Sequence, residues 1–186
     1  MAKVCIFLAE GFEEIEALTV VDVLRRANIE ITMVSVTGTE LVAGSHGITV
    51  KADRLFDDMD FGDTDMLVLP GGMPGTRNLN NHEGLSRLLK TFYEKGKDLA
   101  AICAAPMVLG TKGFLNGKNA TCFPGFEEYL AGARCQAADV VTDGNIVTSR
   151  GMGTALDFAL SLVTKLKSRE EAVKLSQAIQ YRHFQP

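Results

Sequence analysis

Short apolar runs alternate with segments of helical periodicity along this sequence, and that alternation constrains the fold more than any other feature. Buried strands are predicted at residues 3–9, 30–36, 65–69 and 99–103. Helices are predicted at about 14–27 and 83–95, from about 106, and at 153–166 and 169–181. Strands that alternate with helices favour an α/β fold, in which a mostly parallel sheet is covered on both faces.

Two further segments read as antiparallel ribbons. Glycines punctuate residues 39–52, which predicts a hairpin there. Residues 139–142 and 145–149 flank Asp143-Gly144, a strong turn signal between two strands. The sequence contains no internal repeat and no long linker, and its 186 residues suit one continuous core. We therefore expect a single domain that spans residues 1–186.

The composition limits which partners we expect the chain to bind and in which cellular compartment we expect it. A formal net charge of −4 without a basic stripe argues against nucleic acid and anionic membranes, because phosphate contacts need clustered Lys and Arg. We find neither a bilayer-spanning run nor a signal peptide, which predicts a cytoplasmic protein. The four cysteines form no C-x-x-C pair, so we expect free thiols and no metal.

Cys103 is the sharpest candidate for chemistry. It ends a predicted buried strand and precedes Ala104, Ala105 and Pro106. Small residues allow a strand to turn at once into a helix, as in a nucleophile elbow, and proline suits the first helical turn. The helix N-terminus would then favour the thiolate. A small buried core cysteine fits the same spacing equally well.

Two other loops lie at the predicted carboxyl ends of strands, where α/β proteins place their sites. Residues 10–16 (EGFEEIE) hold four carboxylates; Glu13 and Glu14 suit a helix N-terminus, whereas Glu16 lies deeper and can face the strand ends. Gly71-Gly72 follows a buried strand and allows either a plain tight turn or backbone N–H groups aimed at an oxyanion.

Four motifs in order resemble the ThiJ/PfpI superfamily, in particular its DJ-1 branch and bacterial relatives. They are EGFEEIE at residues 10–16, VLPGG at 68–72, AAICAAP at 100–106 and TSRGMGT at 148–154. The match runs from Lys3 to about Val163. The resemblance implies a flavodoxin-like three-layer sandwich related to the class I glutamine amidotransferase domain. It also implies a homodimer, and we expect the first helix and residues 44–48 near its interface.

The resemblance also implies a site. It makes Cys103 the reactive cysteine and Glu16 its protonated carboxyl partner, with the backbone N–H groups of Gly72 and Ala104 facing the sulfur. It implies a cofactor-free, cysteine-dependent stress protein with deglycase or glyoxalase-like activity on methylglyoxal or its adducts. The alternative that it implies is a non-enzymatic oxidation sensor or chaperone in which Cys103 becomes a sulfinate. The same residues serve both roles, so the sequence leaves enzyme and sensor open.

Two positions depart from active relatives. The peptidase-type branch carries a histidine directly after the cysteine, where this chain has Ala104. Glyoxalase-competent members carry a histidine before a downstream proline, where this chain has Phe123 before Pro124. We therefore expect no peptidase activity and only weak turnover of small reactive carbonyl or glycated substrates.

Overall fold

The computed structural model describes residues 1–184, and its centre is a seven-stranded sheet. In chain order the strands are β1 (Lys3–Leu8), β2 (Glu30–Ser35), β3 (Leu41–Ala43), β4 (Thr49–Lys51), β5 (Arg54–Leu55), β6 (Met66–Leu69), β7 (Asp98–Ile102), β8 (Asn119–Ala120), β9 (Arg134–Cys135), β10 (Val140–Asp143) and β11 (Ile146–Ser149). The helices are α1 (Glu14–Arg26), α2 (Gly75–Asn81), α3 (Glu83–Glu94), α4 (Pro106–Thr111), α5 (Ala155–Leu166) and α6 (Arg169–Ala178).

The central sheet is mostly parallel, as predicted. Its strand order is β10-β11-β7-β6-β1-β2-β5, and only the β10–β11 pair is antiparallel. Helices cover both faces, which confirms the flavodoxin-like α/β sandwich. Because β7, β6 and β1 are neighbours and run in parallel, the loops that follow them meet at one edge of the sheet.

The continuous apolar runs of the strands reflect burial on two sides. In β1, Ile6 and Leu8 belong to a core that contains residues of α1 and α5. The intervening Cys5 and Phe7 point the other way, into a core shared with α2, α3 and α4. Successive strand residues point to opposite faces, so a sheet covered twice needs apolar side chains at every position. Cys5 is thus core, as predicted.

Both predicted ribbons form. β3 and β4 pair as an antiparallel hairpin, and β10 and β11 pair around the turn at Asp143 and Gly144. The small parallel pair β8–β9 lies outside the central sheet and was not expected from the sequence. No helix in residues 1–184 has the length and apolarity needed to cross a bilayer.

Helix α2 is the main element that the sequence did not predict. Its residues, GTRNLNN, include a glycine, a threonine and three asparagines, all weak helix formers. Tertiary contacts hold it instead: Gly75 N–H donates to the Gly11 carbonyl at 3.1 Å, and Leu79 is fully buried. The predicted helix after it does form as α3, capped by His82, whose Nδ1 accepts from Leu85 N–H at 3.0 Å.

Candidate active site

Cys103 occupies a strained turn directly after β7. Its φ of 65° is in the left-handed region, which costs a non-glycine residue on the order of 1–2 kcal/mol. The turn is fixed from both sides: Cys103 N–H donates to the Ser149 carbonyl at 2.9 Å, and the Cys103 carbonyl accepts from Phe123 N–H at 2.8 Å. Helix α4 begins three residues later with Pro106. This geometry is that of a nucleophile elbow, which presents the thiol above the sheet edge.

The three loops singled out in the sequence converge on this turn. Glu13 N–H donates to the Gly71 carbonyl at 2.9 Å, which joins the loop after β1 to the loop after β6. Gly75 N–H donates to the Gly11 carbonyl at 3.1 Å and ties the same two loops a second time. These bonds position the start of α1, and with it Glu16, against the loop that carries Gly71 and Gly72.

Glu16 is buried beside the thiol. Its side chain is only 1% exposed, and Oε2 accepts the Gly71 N–H at 2.8 Å. The carboxyl also lies within hydrogen-bonding reach of the Cys103 thiol. Among the described residues, Oε1 makes no hydrogen bond within standard geometry. One carboxyl oxygen is therefore held by the backbone, and the other is left for a proton or a bound molecule.

Two backbone donors face the sulfur, from different loops. The N–H groups of Gly72 and Ala104 form hydrogen bonds with Cys103 and lower its pKa. Gly72 has a φ of 90°, and a Cβ there would overlap the backbone of Glu13, so the turn requires glycine. The Gly71 N–H is not part of this pair, because it binds Glu16. The structure thus brings Cys103, Glu16, Gly72 and Ala104 into one cluster.

The pKa values of the pair depart from the expectation of an activated thiolate. Burial and then the charge of Glu16 raise the pKa of Cys103 to about 12, against the smaller lowering effects of Ala104 and Gly72 N–H. The positive end of α4, a helix of only six residues, does not offset this rise in the pKa of Cys103. Burial also raises the pKa of Glu16 to about 7. The pair therefore loses one proton near neutral pH and keeps the other, which carboxyl and sulfur share.

Glu14 has a structural role that its sequence position hides. It is 2% exposed and accepts from His46 N–H at 2.7 Å, with His46 Nδ1 at 2.8 Å. Burial alone would raise the pKa of Glu14, but these hydrogen bonds hold it at about 2. The carboxylate thereby clamps the β3–β4 hairpin onto the start of α1, whereas the sequence suggested only a favourable helix-terminal charge.

Within residues 1–184, one group of side chains has the composition and spacing of a metal site, and it includes Glu14 and His46. Ligand-type atoms of Glu13, Glu14 and His46 lie within 4.8 Å of one another. Glu13 is already occupied as the N-cap of α1, where its Oε2 accepts from Glu16 N–H at 2.6 Å. Hydrogen bonds to His46 likewise occupy Glu14. We therefore attribute the cluster to holding the hairpin and the helix start, and we assign no metal to it.

Phe123 adjoins the Cys103 turn, where its backbone N–H donates to the Cys103 carbonyl. Its side chain is 47% exposed, and its ring packs against Gly151, where a Cβ would come within 3.2 Å of the ring. The sequence identified Phe123, but it gave Ser149 and Arg150 no role beyond their place in the TSRGMGT motif. Ser149 ends β11 and Arg150 follows it, on the other side of the Cys103 turn. Ser149 acts through its backbone carbonyl, which leaves no signal in the side-chain pattern.

The comparisons with known proteins agree with this geometry. The family model described as "DJ-1/PfpI family" matches residues 2–165. Protein DJ-1 homolog B from Arabidopsis thaliana is 43% identical over 94% of this chain and 40% of its own length. The chain spans 46% of the length of a second Arabidopsis relative, Protein DJ-1 homolog A. It therefore covers less than half the length of each of these two relatives.

Two further similarities bear on fold and chemistry. A structure described as Toxoplasma gondii DJ-1, oxidized, superposes with a TM-score of 0.94 at 38% identity, covering 98% of this chain and 100% of that one. A protein named as a deglycase from Pyrococcus abyssi is 32% identical over 89% of this chain and 99% of its own length.

Proposed function

Because this chain belongs to the DJ-1/PfpI family, we propose that it converts small reactive carbonyls, such as methylglyoxal or its early adducts, without a cofactor. Cys103 would be the nucleophile and Glu16 the proton carrier. The observation that carries this proposal is the buried carboxyl of Glu16 beside a thiol held at positive φ, with two backbone N–H groups on the sulfur. The Pyrococcus abyssi relative named as a deglycase adds support from similarity.

The chemistry needs only groups of this chain and water. The Cys103 thiolate adds to the aldehyde carbon, a C–S bond forms, and the carbonyl electron pair moves to oxygen. The N–H groups of Gly72 and Ala104 stabilise that oxyanion while Glu16 delivers a proton to it. Glu16, now a carboxylate, removes the proton of the former aldehyde carbon and returns it to the neighbouring carbon. The hydroxyl proton on the first oxygen moves, also through Glu16, to the oxygen of the former ketone, and the C=O bond of the thioester forms at the first carbon.

The product of that transfer is a thioester of lactate. Water cleaves its C–S bond, releases lactate and regenerates the thiol. The aldehyde carbon is oxidised and the adjacent ketone carbon is reduced, so the sum is methylglyoxal plus water giving lactate. No external electron acceptor enters the balance, which agrees with the expectation of a cofactor-free protein.

We propose that turnover is slow. A positioned acid–base group typically contributes about 10²–10⁴-fold to a rate, and Phe123 stands where glyoxalase-competent relatives place an imidazole. Glu16 then serves every proton transfer alone. Amide hydrolysis suffers most, because its amine leaving group must be protonated as the bond breaks, and we expect no peptidase activity.

The deciding assay is conversion of methylglyoxal to lactate by wild type, Cys103→Ser and Cys122→Ser. Cys122 is a matched control, since it is also a free thiol and burial raises its pKa, like that of Cys103, to about 12. We expect slow turnover in wild type and Cys122→Ser and none in Cys103→Ser. Equal rates in all three proteins would refute the enzymatic proposal.

A second candidate is an oxidation sensor, in which Cys103 becomes a sulfinate stabilised by the Glu16 O–H. The similarity to a DJ-1 structure described as oxidized favours it. Mild peroxide followed by peptide mass spectrometry should then oxidise Cys103 before the exposed Cys135. Oxidation at Cys135 first would argue against a sensor role.

We also propose a homodimer. Large apolar side chains are exposed on α1 and on the β3–β4 hairpin tip: Ile15 is 50% exposed, Leu18 36% and Ile48 54%. A second copy that covers these side chains would remove them from water, since contiguous exposed apolar surface marks an interaction site. Sedimentation of the protein at micromolar concentration as a 20.1 kDa monomer would refute the dimer.

A further inference from the structure

A cavity of about 360 Å³ opens beside the Cys103 turn. Phe123, Asp139, Arg150 and Met152 contribute to its walls. The backbone connects this cavity to the candidate nucleophile at two points. Phe123 N–H donates to the Cys103 carbonyl, and Cys103 N–H donates to the carbonyl of Ser149, the residue before Arg150. The cavity therefore adjoins the turn that carries Cys103.

The cavity has an apolar wall and a cationic group. Phe123 is 47% exposed and Met152 55%. Within residues 1–184, the Arg150 side chain makes no hydrogen bond and no ion pair. Three other arginines are likewise unpaired in this part of the chain, but all three are exposed: Arg77, Arg169 and Arg182. Arg150 alone combines partial burial with an unpaired guanidinium.

The Asp139 side chain does not form an ion pair with the Arg150 guanidinium. The Asp139 backbone carbonyl accepts from Arg150 N–H at 3.2 Å and from the Ser149 hydroxyl at 2.8 Å. Its carboxylate forms no ion pair with Arg150, and Asp139 is exposed to solvent, where its charge is screened. A partly desolvated guanidinium without a partner is suited to bind a carboxylate in two-point geometry.

The position of the charge limits what can bind. Arg150 lines the cavity, whereas Cys103 does not. An anion that Arg150 binds is therefore separated from the sulfur. A carboxylate directly next to the reacting carbonyl would be too close to reach it.

We propose that Arg150 determines specificity by binding a carboxylate on the distal part of the substrate. The site then prefers carbonyl adducts of carboxylate-bearing thiols or amines, and their linking atoms pack on Phe123 and Met152. This inference names the substrate class and rests on the proposed function for its turnover. The preference of Cys103 for carboxylate-bearing reagents in a covalent reaction does not depend on turnover. The substrate-class inference and the proposed function can therefore fail separately.

A matched pair of alkylating agents tests the preference. N-iodoacetylglycine and N-iodoacetylglycinamide differ only in a terminal carboxylate, and mass spectrometry gives the rate of each at Cys103. The ratio of the two rates is compared in wild type, Arg150→Gln and Arg169→Gln. Arg169 is the control, because it is also unpaired within residues 1–184 but lies exposed at the start of α6.

We expect the carboxylate-to-amide ratio to fall about tenfold in Arg150→Gln, because the substitution removes the charged hydrogen bonds to the carboxylate. Arg169→Gln should keep the wild-type ratio, and Arg150→Lys should retain part of it. Equal ratios in wild type and Arg150→Gln would overturn the proposal, as would an equal fall in Arg169→Gln. If Arg150→Gln instead dissociates a dimer with its ratio unchanged, Arg150 pairs with a second copy, and the proposal is wrong.

Discussion

Gly71 donates its backbone N–H to Oε2 of the buried Glu16 at 2.8 Å, and its lack of a side chain lets that carboxyl reach Cys103. A Cβ at Gly71 would lie 2.6 Å from both the Cys103 Cβ and Glu16 Oε2. The glycine therefore fixes the orientation of the carboxyl and leaves room for its contact with sulfur. Separate substitutions can therefore test the space left by Gly71 and the carboxyl group of Glu16.

Gly71→Ala should separate Glu16 from Cys103. The added methyl group has no space, and overpacking typically costs about 1–3 kcal/mol. We expect a lower free energy of unfolding and a loss of selective Cys103 alkylation. Gly153→Ala is the stability control, because a Cβ there meets no atom within 4 Å. If Gly71→Ala and Gly153→Ala both unfold at the same denaturant concentration as wild type, the inference that Gly71 is tightly packed is wrong.

Glu16→Leu should raise the pH at which Cys103 reacts with iodoacetamide. The pair loses its first proton near pH 7 only while the Glu16 carboxyl can hold the second, and without that carboxyl the partial burial of the thiol sets a higher pKa on its own. Glu16→Gln retains an N–H donor of similar size and should fall between the two proteins. A Cys103 that becomes more reactive in Glu16→Leu would mean that Glu16 acts only as a repelling carboxylate.

Glu14→Gln should reduce the free energy of unfolding by about 1–3 kcal/mol at neutral pH, because it weakens hydrogen bonds to a buried group. The pKa of Glu14 is about 2 in the folded chain against a usual 4.5, so its stabilisation is full above pH 4.5 and is lost as the pH falls towards 2. Denaturant titrations should show the difference from wild type narrowing below pH 4.5. A difference independent of pH would contradict the clamp.

Phe123→His should accelerate aldehyde turnover at least tenfold if the imidazole reaches the substrate, because it restores an acid–base group beside Cys103. Phe123 is half-exposed, so the smaller polar ring should be tolerated without much loss of stability. Phe123→Leu controls for the loss of the ring. A wild-type protein that cleaves casein would show that another group already supplies the missing base.

The alternation of buried strands with helices and the Cys103 turn could be anticipated from the sequence, because both depend on local signals. Apolar runs mark strands buried on both faces, and small residues with Pro106 mark a strand that turns into a helix. The resemblance named Glu16, Gly72 and Ala104, and the structure places all three around the sulfur.

Three features could not be predicted, for different physical reasons. Helix α2 depends on tertiary contacts that outweigh its weak helix formers. The role of Glu14 depends on a partner 32 residues away, His46, and no local pattern encodes that contact. The raised pKa of Cys103 follows from burial, which a helix-terminus argument from sequence does not include.

The pH dependence of alkylation at all four cysteines tests the central claim most directly. Iodoacetamide labelling, resolved by peptide mass spectrometry, gives a rate for each thiol at each pH. Because Glu16 and Cys103 together lose one proton near pH 7 and share the other, we predict an inflection near that pH at Cys103. Cys122, whose pKa is raised to about 12 by burial, should react only at strongly alkaline pH. A Cys103 profile that coincides with that of Cys122 would contradict the shared proton and, with it, the role of Cys103 as the nucleophile.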